Sequence, residues 1–206
     1  MLVDNSSSFA AKKRIFDALY ELMQNHQYKD IKVTDICEKA GISRTAFYHH
    51  FDSKFDVASW HSDMILRAGV DLIGDSLTWF EGHYITTQGI KCFYDFYSRI
   101  ERPDGNKSVF LSHHAQHRID VLHHTLSEVK KIEITPLLEF QIYAMARTED
   151  FAMHEWYSGR LDVPLKTVCD YMVSIVPHEL YKALEKPEHP SGLGGAILFR
   201  ELMYPQ

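Results

Sequence analysis

From Phe9 onward the apolar residues fall at helical intervals. Ile15, Phe16, Leu19, Leu22 and Met23 share one face of a first helix. Ser7 or Ser8 is placed to cap it, and residues 1–8, polar and Ser-rich, read as a disordered arm. A polar break from Asn25 to Asp30 ends this helix. A second, short helix is expected from about Val33 to Ala40, with Val33, Ile36 and Cys37 inward, and Gly41 closes it. A third follows Ser43 and runs to about Phe51. Asp52 and Ser53 offer caps for a fourth that opens near Lys54.

The rest of the chain reads as mostly long helices, over 57–80, 86–101, 107–114, 117–131, 134–157 and 164–184. The stretch 86–101 is rich in rings, and Arg102-Pro103-Asp104-Gly105-Asn106 after it has turn chemistry. Residues 186–195 form a Pro/Gly breaker ahead of an apolar tail from Ala196 to Met203. Strand alternation and internal repeats are missing, and only Ile197-Leu198-Phe199 leaves room for a strand. The pattern predicts an all-α protein: a three-helix N-terminal domain over 1–55 and a helical bundle over 56–206.

The segment from Val33 to Phe51 carries the most specific chemistry. A helix-turn-helix needs a tight bend between two short helices, commonly at Gly. Ala40 is small enough for close helix approach, Gly41 tolerates positive φ, Ile42 plugs the space between the helices, and Ser43 caps the next one. The first turn of that third helix is then free to dock in a groove. Arg44 reaches guanine edges or phosphate, and Thr45 offers a hydroxyl and a methyl. Tyr48, His49 and His50 follow, with Lys54 at the start of the fourth helix, where free N–H groups favour phosphate. Lys12, Lys13 and Arg14 oppose the dipole near the start of the first helix, a conflict that an external anion would relieve. Lys32, Thr34 and Ser43 complete the candidate DNA-facing set with Lys12, Arg44, Thr45, Tyr48, His49, His50 and Lys54.

This segment resembles the N-terminal domain of the TetR family of regulators. The family pattern D-I-A-x-x-A-G-V-S-x-x-x-F-Y-x-x-F-x-S-K is matched at Asp35-Ile36-Cys37, Ala40-Gly41-Ile42-Ser43, Phe47-Tyr48, Phe51 and Ser53-Lys54. The resemblance covers roughly residues 9–60. It implies that Tyr48 and Lys54 bind phosphates, that Arg44, Thr45 and His49 face bases or nearby phosphates, and that Phe47 and Phe51 pack inside. Two positions depart from the pattern. Lys32 stands where the family usually has Thr, so the cap of the second helix must come from elsewhere, and Cys37 replaces a common Ala.

Charge refines this division. The net charge of −6 argues against a generic polyanion binder. Residues 1–60 are balanced, and the whole deficit lies beyond them, which leaves DNA contact to the N-terminal part. Cys37, Cys92 and Cys169 are widely spaced, giving neither a disulfide framework nor a zinc knuckle, and a reducing cytoplasm is the simplest compartment. No signal peptide and no membrane-spanning run is visible.

The larger part matches no motif of its own. By the resemblance it binds a small, unidentified effector and dimerises through its last two long helices, 134–157 and 164–184. Leu137, Leu138, Ile142 and Met145, then Leu165, Val168, Met172, Ile175 and Val176, supply apolar faces for that. Tyr94, Tyr97, Phe110, Phe140 and Tyr143 are candidate rings for an effector pocket. The run from His113 to His124 contains i,i+4 histidine pairs, but a solvated face explains them better than a metal site, and no metal or cofactor is expected. No catalytic motif appears. The expected function is a ligand-responsive repressor, a homodimer on palindromic double-stranded DNA. The alternative is an activator or co-regulator whose body binds a protein.

Overall fold

The computed structural model describes residues 6–100 and 114–187. The turn at 102–106, residues 107–113 of the helix expected over 107–114, with Phe110 and His113, and the tail from 188 onward lie outside the described residues. The chain is all-α, with no strand among the described residues and one isolated bridge between Ile73 and Leu77. It divides into two compact units. The smaller holds 6–64 and 93–100, and the larger holds 65–92 and 114–187.

In the smaller unit, α1 spans Ser6–Asn25, α2 Val33–Ala40 and α3 Arg44–His50, and α4, Lys54–Ala68, begins here. Helix α1 opens before Phe9, so Ser7 and Ser8 lie within it and not at its cap. Ile15, Phe16, Leu19 and Met23 are buried together with Ile36, Phe47 and Val57. The expected helix over 86–101 is broken. Helix α5, Trp79–Cys92, stops where Phe93 leaves helical geometry, and a short α6, Tyr94–Ser98, follows in the smaller unit. There its rings close the core. Phe16 stacks on His61 at 3.6 Å and meets the edges of Phe93 and Phe96. The His61 Nδ1 lies 2.6 Å from the Tyr97 hydroxyl.

The larger unit is built from α5, α7 (His114–His124), α8 (Pro136–Tyr157), α9 (Leu165–Ser174) and α10 (His178–Leu184). Its core joins Ile119, Leu122 and Leu126 with Leu138, Ile142 and Met145, and with Met172, Leu180 and Leu184. The expected helix over 57–80 also divides. Helix α4 ends at Ala68, a single 3-10 turn occupies Val70–Leu72, and α5 starts afresh. Close packing explains the break. A Cβ on Gly69 would stand 2.1 Å from Thr86 Oγ1 and 2.8 Å from the Gly82 carbonyl, and Thr86 Oγ1 accepts the Val70 N–H. Thr78 and Glu81 cap α5 reciprocally. The expected helix over 164–184 is cut at Pro177, whose ring cannot sit inside a helix. Residues 125–129 prolong α7 as one wide π turn.

Candidate functional site

The bend between α2 and α3 forms as its residues dictate. Gly41 sits at φ +64°, a left-handed position that glycine takes without strain. Its N–H and that of Ile42 bond back to the carbonyls of Glu38 and Cys37, closing α2. Ser43 Oγ then accepts the Ala46 N–H at 3.1 Å and opens α3. At the start of α2, a lysine side chain has no acceptor to offer. The cap comes from the other side, where Asp35 accepts the Lys32 N–H at 2.8 Å.

One edge of α3 is thereby locked and the other left open. Phe47 is fully buried and Phe51 nearly so. Arg44, Thr45 and His49 are exposed, and Tyr48 is 47 % exposed. The Arg44 guanidinium lies 6.0 Å from the Tyr48 ring centre, so cation and phenol share one side of the helix. Lys32, Thr34 and Ser43 are exposed beside them, while His50, Lys54 and Lys12 are half-buried. Lys13 is drawn into an ion pair with Asp17 at 2.8 Å, which offsets part of the basic cluster on α1. Lys54 has a structural task. Its ammonium donates to the carbonyls of Tyr28 and Ile31, the latter at 2.7 Å, and lies 4.2 Å from the Tyr28 ring centre. It staples the start of α4 to the turn that ends α1.

The larger unit contains a cavity of about 80 Å³. None of the candidate rings among the described residues lines it. Tyr97 is in the core of the smaller unit, Tyr94 is half-buried on α6, Phe140 and Tyr143 are exposed on α8, and Phe110 lies outside the described residues. Leu66, Val70, Ile90, Ala146 and Met153 give it an aliphatic wall, Thr86, Thr87, Tyr157, His83, His114, His117 and His154 add polar groups, and Arg118, Glu149 and Asp150 bring charge. Arg118 on α7 donates to Glu149 on α8 at 3.0 Å and to the Val70 carbonyl at 2.7 Å, with both side chains buried. The His83 Nε2 lies 3.4 Å from Glu149. Burial pulls the His83 imidazole down to about 4, against the pull of Glu149. Burial also pushes the Asp150 carboxyl up to about 6. The pattern missed Arg118 and Glu149. No group of three or more His, Cys, Asp or Glu among the described residues is arranged to hold a metal ion.

These two shifts act oppositely on stability. Between about pH 4 and 6 the folded chain holds the Asp150 proton and the unfolded chain releases it, so stability falls as pH rises through that range. For His83 the unfolded chain takes the proton first, so stability falls as pH drops from 6.5 to about 4. Asp150→Asn removes the first effect and leaves the second. The variant is expected to exceed the parent by about 1–2 kcal/mol at pH 8, a figure trimmed for water that still reaches the carboxyl. The advantage shrinks below pH 6 and disappears near pH 4. Urea denaturation across this range checks it, and a variant less stable than the parent at pH 8 would contradict the assignment.

A buried three-helix unit that presents a capped, outward second helix after a glycine bend is a helix-turn-helix domain of the DNA-reading kind. Residues 15–58 match the family described as bacterial regulatory proteins, tetR family. The HTH-type dhaKLM operon transcriptional activator DhaS of Lactococcus lactis subsp. lactis (strain IL1403) is 38% identical over 53 residues, 26% of this chain and 28% of the relative. The matched stretch thus spans little more than a quarter of that protein. A solved structure titled dihydroxyacetone kinase operon activator DhaS superposes over 86% of this chain and 99% of its own, with TM-score 0.60 and 19% identity, a likeness of fold. A tetR-family transcriptional regulator from Streptomyces coelicolor aligns over 98% of each chain at TM-score 0.48 and 14% identity. The match to the tetR family thus lies in the N-terminal domain, over residues 15–58. Among the described residues no helix is long and apolar enough to cross a membrane.

Proposed function

We propose that the chain is a ligand-responsive transcription regulator that binds double-stranded operator DNA as a homodimer. The observation that carries this reading is the open first turn of α3. Arg44, Thr45 and Tyr48 stand exposed there while Phe47 anchors the same helix. Two such helices half-sites apart require two chains. Of the apolar positions expected to pair, Leu138, Ile142, Met145, Val168, Met172 and Val176 are buried within the chain, and the face left to support the pairing is Leu137, Phe140 and Phe151 on α8 with Tyr171 on α9 and Ile175 just after it, 44–70 % exposed. The cavity in the larger unit supports ligand control. A ligand shifts DNA affinity by binding one state of the body more tightly than the other. Repression is the first reading of the sign. The activator names of the DhaS relatives favour activation as the second reading.

Gel shifts on the DNA upstream of the chain's own coding region, repeated over a salt series, test this. Retardation with two chains per duplex and affinity falling with salt are expected. Arg44→Ala should relax base preference and weaken the specific site by about 1–3 kcal/mol. Lys12→Ala should weaken all sequences alike and reduce the salt slope by about 1. Equal effects of both variants on every sequence would refute the division of roles. A transcriptional reporter separates repression from activation.

A further inference from the structure

The buried ion pair beside the cavity is incompletely satisfied. Arg118 is 4% exposed and Glu149 8%. Each keeps one buried atom without a hydrogen-bond partner among the described residues, Arg118 Nη2 and Glu149 Oε1; His83 Nε2 is a third, 3.4 Å from Glu149 Oε1 but without hydrogen-bond geometry to it. Buried polar atoms of this kind are rare in native proteins, and each calls for a partner. Here a donor and an acceptor without partners belong to two side chains already in contact with each other.

We propose that this cavity takes a small, uncharged, hydroxyl-bearing ligand of three or four carbons, whose neighbouring oxygens bridge Arg118 and Glu149. The inference rests on the reading of the larger unit as a ligand sensor and names the class of ligand. A hydroxyl both donates and accepts, so it answers a guanidinium N–H and a carboxylate oxygen together. The charges of the pair cancel each other at 3.0 Å, burial keeps His83 neutral above pH 4, and the Asp150 carboxyl, which also lines the cavity, is neutral below about pH 6, where the probes are compared. A carboxylate ligand would have to displace Glu149 from Arg118 and strand a buried charge. An ammonium would compete with Arg118 for Glu149 in the same way. Size agrees, since about 80 Å³ holds on the order of six water-sized groups. The aliphatic wall of Leu66, Val70, Ile90 and Met153 suits a short carbon skeleton.

Calorimetric titration of the full chain with size-matched probes tests it: 1,2-propanediol, glycerol and erythritol as neutral ligands, lactate as the anion, and 1-amino-2-propanol as the cation. At least one neutral probe is expected to bind about tenfold more tightly than either charged one. Arg118→Lys, which keeps the charge and loses the fork, is expected to weaken that binding about tenfold at least. If this variant melts early, the titrations of the parent still decide. Tighter binding of lactate, tighter binding of the amine, or no saturable binding of any neutral probe would each overturn the proposal. Gel shifts on the same preparation separate the two levels. Loss of DNA binding strikes the regulator reading, whereas intact DNA binding with no neutral ligand strikes this inference alone.

Discussion

Glu149→Leu is expected to destabilise the larger unit by about 3–5 kcal/mol, a large share of a domain's usual stability. The loss comes from Arg118, which remains charged because a guanidinium does not deprotonate in a protein. It would stay buried, over the Trp79 ring at 5.6 Å, with the Val70 carbonyl as its remaining anchor. Arg118→Met combined with Glu149→Leu is expected to recover most of the loss, since a well-packed apolar pair replaces a buried ion pair at little cost. Recovery should be incomplete because the Val70 carbonyl also loses its donor. Urea midpoints of the two single variants and the double decide this. A double variant no more stable than Glu149→Leu would mean that the pair is not the source of the effect.

The second large effect falls on neighbours in α3. Phe47→Ala is expected to lower the stability of the smaller unit by about 3–5 kcal/mol, because a fully buried ring leaves a cavity among well-packed helices. Tyr48→Ala, one position on, is expected to leave the melting temperature nearly unchanged and to weaken DNA binding on most sequences. Thermal melts and gel shifts of the two variants should therefore rank them in opposite orders when binding is measured well below the melting point of each. Equal destabilisation by both would place Tyr48 in the core and remove it from the DNA face.

What could be read from the sequence followed the strength of local signals. Gly41, Ser43 and Phe47 each have one physical use in a helix-turn-helix, and the structure places all three as that use requires. Periodicity alone does not mark a break, so the long helices it predicts run past their ends. Thr78-x-x-Glu81 is a capping signature in plain view, and Pro177 is a breaker; both mark the boundaries that the pattern ran through. The cavity was illegible for another reason. Rings draw attention as pocket formers, yet Phe93, Phe96 and Tyr97 fill a core, while the cavity takes its walls from aliphatic side chains and its charge from Arg118, Glu149 and Asp150. Arg118 shares the apolar stripe of Ala115, Ile119 and Leu122, and Glu149 shares that of Ile142, Met145 and Ala146. Opposite charges on two core-facing stripes are the mark of a buried pair, and that signal was available.

The rings that cover Phe16 and His61 arrive late in the chain. Phe93, Phe96 and Tyr97 are delivered only after the backbone has run through 65–92, which belongs to the other unit. The reading head is therefore not a detachable cassette. A fragment that stops at residue 64 leaves two aromatic side chains uncovered, and a chimera that grafts the head onto a different body must bring 93–97 with it.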